Sequence, residues 1–124
     1  AVVGVVALAP VADMARGFAM KLGDGAVGKV LGGSPAEVPE RYAAVDPAAN
    51  LPLRIPTAVV HGHDDQQVPY AIGRDWAAES VAAGDPTQLW DLPGIEHFGV
   101  IDPLSSAWTA VTSGLASVCA VGRG

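Results

Sequence analysis

The stretch Val2-Val3-Gly4-Val5-Val6-Ala7-Leu8 carries no polar side chain and is stopped by Pro10. It is short and rich in β-branched residues. It does not alternate apolar with polar positions, so it reads as a strand covered on both faces, the kind that parallel sheets contain. Two more segments read as strands. Thr57 to His61 comes after Pro56, and Thr87 to Leu92 comes after Gly84-Asp85-Pro86. Each of the three is followed by a stretch with helical spacing. Strand, helices, strand, helix, strand, helix is the order of an α/β fold with a mainly parallel sheet and helices packed on its faces. A strand buried on both faces needs neighbours, and some neighbours of the first strand are expected upstream of Ala1.

The helical stretches carry start and stop signals. Asp13 can cap a helix through Met14, Phe18 and Leu22, and Asp24 a second through Val27, Val30 and Leu31, stopped by Gly32-Gly33. Ser34-Pro35-Ala36-Glu37 is a capping box with Pro at the first helical position. Pro39 limits that piece to one turn, and residues 40–45 add another. Residues 13–53 therefore read as a helical insert between the first two strands. Residues 70–83 place Ile72, Trp76, Ala77, Ser80 and Val81 close to helical period. Asp102-Pro103 is an N-cap followed by Pro, which predicts a last helix over 103–120 with Leu104, Trp108, Val111, Leu115 and Val118 on one face.

At 124 residues the chain is one domain or part of one. Half of its residues are apolar and only 16% are charged, which excludes intrinsic disorder. Ala supplies 22 residues and Val 17, so the core is built mostly from small side chains. The net charge of −6 argues against nucleic acid or an anionic membrane as a partner. No apolar run reaches the roughly 18 residues of a membrane-spanning helix. Cys119 is the single cysteine, so neither an intrachain disulfide nor a Cys-based zinc site can form.

Two loops concentrate the chemistry. His61-Gly62-His63-Asp64-Asp65-Gln66-Gln67-Val68-Pro69 follows the second strand, and Leu92-Pro93-Gly94-Ile95-Glu96-His97-Phe98 follows the third. In a parallel α/β sheet, loops at the carboxyl ends of strands line the ligand crevice. A carboxylate on one loop and an imidazole on the next can meet there. The carboxylate would hold Nδ1–H and leave Nε2 to take a proton from a nucleophile. Asp64 and Asp65 both compete for that carboxylate role. Ser34 heads a helix after a glycine stop and reads as an N-cap, not as a nucleophile.

The pattern His-Gly-x-x-Asp-x-x-Val-Pro and, further along, Gly-x-x-His-Phe resembles the C-terminal half of α/β-hydrolase fold enzymes. The esterase, acylpeptidase and arylformamidase-like branches are the most similar. Leu31 to Glu37, Pro39 to Tyr42 and Asp46-Pro47 resemble the insert such enzymes carry between their sixth and seventh strands. Ile101-Asp102-Pro103 with Trp108 resembles the segment just after their catalytic histidine. The resemblance covers nearly the whole chain. It implies a serine hydrolase of carboxylic esters or amides, with Asp65 as the triad acid, His97 as the triad base and no cofactor. The family order is nucleophile, acid, base, yet no Gly-x-Ser-x-Gly occurs in this sequence. The nucleophile, the oxyanion hole and the N-terminal half of the fold are therefore expected upstream, and the 124 residues alone are expected to be inactive. The insert would border a substrate pocket, with Met14, Phe18 and Met20 as lining residues.

Two other classes stay open. His61-x-His63-x-Asp65 resembles the start of the metallo-β-lactamase His-x-His-x-Asp-His signature, and these three side chains could bind zinc. Gln66 stands where that signature has His, and the chain has only three histidines. A non-catalytic scaffold half-domain would account for the absent nucleophile, but not for the acid and base loops.

Overall fold

A computed structural model describes residues 1–124. Three strands, β1 (Val5–Leu8), β2 (Thr57–Gly62) and β3 (Thr87–Leu92), form one sheet in the order β1-β2-β3. Both pairings are parallel, with Val5 opposite Thr57 and Thr57 opposite Thr87. The helices are α1 (Met14–Ala19), α2 (Leu22–Leu31), α3 (Pro39–Val45), α4 (Tyr70–Ala82) and α5 (Trp108–Gly122). Short 3₁₀ turns cover Ala48–Asn50 and His97–Ile101. The fold is the α/β type expected from the alternation of elements.

β2 is central and buried along its whole length. Successive side chains of a strand face opposite sides, and β2 packs a helix on each. Val59 meets Trp76 and Ala77 of α4, while Val60 meets Val111 of α5 and Val100. Full burial of one such valine contributes about 1.5–3 kcal/mol. The two strand faces and two helices make two small cores, which fits a chain whose apolar residues are mostly Ala and Val.

β1 departs from the expected strand. Only Val5–Leu8 pairs, and Val2 is 72% exposed. In this chain β1 is an edge strand, bonded to β2 on one side. The last helix also starts later than Asp102-Pro103 predicts. Asp102 Oδ1 accepts the Leu104 N–H, and Ser105 Oγ donates to Gly99 O and accepts the Ala107 N–H. These side chains satisfy the backbone in a turn, and α5 begins at Trp108. Its buried face is Val111, Gly114 and Val118; Leu104 and Leu115 face solvent, as does Val81 on α4. No helix is long and apolar enough to cross a membrane.

The segment between β1 and β2 is helical, but its joints differ from the expected ones. Asp13 caps α1 by accepting the Arg16 N–H at 2.9 Å, and buried Asp46 accepts the Met14 N–H at 3.0 Å. Asp24 is no cap. Gly23, Asp24 and Gly25 all have left-handed φ, so two glycines flank an aspartate in a turn that right-handed helix cannot continue. The Ser34–Glu37 box forms reciprocally, with Ser34 N–H to Glu37 Oε2 at 2.8 Å and Glu37 N–H to Ser34 Oγ at 3.2 Å. It closes one turn before α3 starts at Pro39.

Candidate active site

The carboxyl ends of β2 and β3 carry the two loops singled out by sequence. Because the strands are adjacent and parallel, their following loops leave the same edge of the sheet. The loops are then stitched together by backbone: His63 N–H donates to Leu92 O at 3.0 Å and Asp64 N–H to Ile95 O at 3.1 Å. Gly62 makes this approach feasible. A Cβ at position 62 would overlap the Ile95 carbonyl.

Asp65 and His97 meet across this seam. His97 Nδ1 donates to Asp65 Oδ2 at 2.7 Å, a length typical of a charge-assisted bond. Asp65 Oδ1 accepts two backbone N–H groups, from Gln67 and Val68, each at 2.8 Å. The carboxylate is fully buried, and burial by itself pushes its pKa up. The His97 hydrogen bond and the Val68 and Gln67 amides outweigh burial and hold the Asp65 carboxyl below its usual value. Asp65 is therefore the ionised acceptor. With a carboxylate on Nδ1, the His97 hydrogen sits there and Nε2 keeps its lone pair. Asp64, the rival acid, lies exposed on the same turn, and its backbone rather than its carboxylate joins the His97 loop.

His97 opens the 3₁₀ turn His97–Ile101. Glu96 caps that turn, its carboxylate accepting the Phe98 N–H at 3.0 Å. Glu96 thus serves backbone and not the neighbouring imidazole. The His97 side chain is 28% exposed, and it borders a cleft of about 270 Å³. Val11, Leu22, Ala26 and Val27 form the apolar wall opposite Phe98 and Gln67. None of Met14, Phe18 and Met20 lines it. Phe18 packs edge-on against Tyr42 with centroids 6.4 Å apart, Met20 is exposed, and Met14 faces a separate apolar groove with Val30 and Val45. The segment between β1 and β2 reaches the cleft through Leu22, Gly23, Ala26 and Val27 of α2.

The other two histidines do not converge on Asp65 as a ligand set. His61 is fully buried, with Nε2 2.8 Å from Val68 O. His63 lies on the outer side, with Nε2 3.2 Å from Asp91 Oδ2 and its ring over Tyr70 at 4.2 Å. His61 lies near Asp65 but His63 turns away to Asp91, and no cluster of three or more His, Cys, Asp or Glu side chains has metal-binding geometry.

Three parallel strands in sequential order, with helices on both faces and polar loops at the strand carboxyl ends, make a parallel α/β fold, and likeness to a solved structure shows that fold to be α/β-hydrolase-like. The crystal structure of puromycin hydrolase, an α/β-hydrolase-fold protein, superposes on 91% of this chain with a TM-score of 0.64 at 24% identity. The chain spans 17% of the length of that protein. No protein-family model matches the sequence, and no curated protein does.

Proposed function

We propose that this chain carries the acid and base of a serine hydrolase acting on carboxylic esters or amides. The single observation that supports this most is the buried, ionised Asp65 carboxylate on His97 Nδ1, with the His97 ring bordering an apolar cleft. In this reading Nε2 takes the proton of an attacking serine hydroxyl and returns it to the leaving alcohol or amine. Asp65 stays ionised throughout; it fixes the imidazole tautomer and stabilises the imidazolium. The serine and the oxyanion hole belong to polypeptide outside these 124 residues, since no Gly-x-Ser-x-Gly lies within them. The chain is then the C-terminal half of an α/β-hydrolase domain, with residues 13–53 as its helical insert. The cleft wall of Val11, Leu22 and Val27 favours an apolar group next to the scissile bond.

The test compares the 124-residue chain with the complete polypeptide that its gene encodes, on activated esters and amides. The isolated chain should give no acyl-enzyme burst. In the complete polypeptide His97→Ala should lower kcat by about 10³-fold or more. A stoichiometric burst from the isolated chain, or near-parent activity in His97→Ala, would overturn the assignment.

A further inference from the structure

Asp65 has a second imidazole beside it. His61 sits on the central strand β2 with no solvent exposure, and its Nε2 is 3.4 Å from Asp65 Oδ2. That oxygen is the one that accepts the His97 Nδ1–H. The same Nε2 lies 2.8 Å from the Val68 carbonyl oxygen. A carbonyl only accepts, so His61 Nε2 carries the hydrogen. His61 Nδ1 is then bare, and it has no hydrogen-bond partner. Helix α4 closes over this side of the ring. A Cβ at Gly73 would overlap His61 Nδ1, and Tyr70 stands edge-on with its centroid 5.8 Å away. Packing thus fixes the ring, and its one N–H is aimed at the turn that carries Asp65.

We propose that His61 is a positioning residue for the Asp65–His97 pair. The Gln67 and Val68 amides hold Asp65 Oδ1 from within the turn, which restrains one oxygen of the carboxylate. The other oxygen still needs a direction. His61 constrains it from the fully buried strand β2: its one N–H bonds the Val68 carbonyl, and the same nitrogen packs 3.4 Å from Asp65 Oδ2. Locking Val68 from its carbonyl side also keeps the Val68 amide on Oδ1. Hydrogen bonds thus run from His61 to the Val68 carbonyl and from the Val68 amide to Asp65, tying strand, turn and carboxylate together. The resting geometry of the pair does not depend on hydrolysis, so this role for His61 and the hydrolytic reading can fail separately.

The test is NMR of the full chain labelled with ¹⁵N-histidine, which reads the tautomer of each ring and the low-field proton of a short Nδ1–H···carboxylate bond. In the unmodified protein His61 should be protonated at Nε2 and His97 at Nδ1. Asp65→Asn should abolish the low-field His97 proton, which assigns it. His61→Gln keeps an N–H donor near the Nε2 position and should retain that proton. His61→Leu keeps volume without a donor, and should lose the proton or exchange it with water at least about tenfold faster. A His61 ring protonated at Nδ1 would overturn the proposal, and that measurement needs no variant to fold. So would a folded His61→Leu with the parent's His97 proton unchanged.

Discussion

Replacing Asp65 with Ala removes a buried carboxylate that accepts three hydrogen bonds. The cost depends on the partner each donor can find instead. Val68 is buried, so its N–H is orphaned, at about 1–3 kcal/mol. Gln67 is exposed, and water replaces the carboxylate on its N–H at little cost. His97 loses a charge-assisted bond, but its ring is partly exposed, which limits that loss to about 1 kcal/mol. The expected destabilisation is about 2–4 kcal/mol, which shifts a urea midpoint by about 1–2 M. Asp65→Asn retains an acceptor for both amides and should cost about 1 kcal/mol. The acid dependence has a definite sign. The Asp65 carboxyl titrates lower in the folded than in the unfolded chain. Its stabilisation is therefore fully present above the unfolded value near about 4 and is lost as pH falls through the folded value. The parent's advantage over Asp65→Asn should shrink as pH drops below about 4. Urea unfolding of the parent and both variants, at neutral pH and along an acid series, checks this. An Asp65→Ala chain within about 0.5 kcal/mol of the parent would contradict the assigned hydrogen-bond energies; so would an Asp65→Asn chain as unstable as Asp65→Ala.

Gly62→Ala should cost about 1–3 kcal/mol or more, because the new methyl meets the Ile95 backbone and not a side chain that could move. It should also disturb the low-field His97 proton seen by NMR, since it pushes the two loops apart. Ser34→Ala should cost about 0.5–1 kcal/mol in urea unfolding, the low end for a cap, because the box closes a single exposed turn. Ala26→Trp, on the exposed rim of the cleft, should leave stability within about 0.5 kcal/mol. Under the proposed function the same change should raise KM for bulky esters more than it lowers kcat, as steady-state kinetics would report.

Much of this architecture is legible in the sequence because it rests on short-range rules. β3 and α4 are bounded by Pro and Gly signals that act locally, and both fall where those signals place them. The capping box at Ser34 is a four-residue rule and forms as such. Where local rules conflict with packing, packing decides. Asp102-Pro103 is a sound helix start, yet Ser105 bonds back to the Gly99 carbonyl and delays α5 to Trp108. Asp24 could cap a helix, but the glycines on either side admit a left-handed turn that no periodicity reveals. The cleft residues Val11, Leu22 and Val27 have no motif at all, and they come together beside His97 only in the folded chain. His61 reads in the sequence as the end of a strand or as a zinc ligand, and neither reading gives it the role of holding the Asp65 turn. The motifs that contain both His61 and Asp65 do not say which nitrogen of the ring faces the turn; only the packing of α4 and the Val68 carbonyl decide that.

Hydrophobic pattern and turn chemistry act over a few residues. They are enough to specify three short strands alternating with helices, and to put a carboxylate loop and a histidine loop after consecutive strands. They leave Asp64 and Asp65 equivalent except through resemblance, because adjacent residues in a polar loop have the same composition signal. The folded chain separates the two. The parallel pairing of β2 and β3, the close approach at Gly62 and the two amides of the turn send the Asp65 carboxylate inward and leave Asp64 in solvent. A hydrogen bond between residues 65 and 97 depends on strand register and loop contact, and these exist only once the whole sheet has formed.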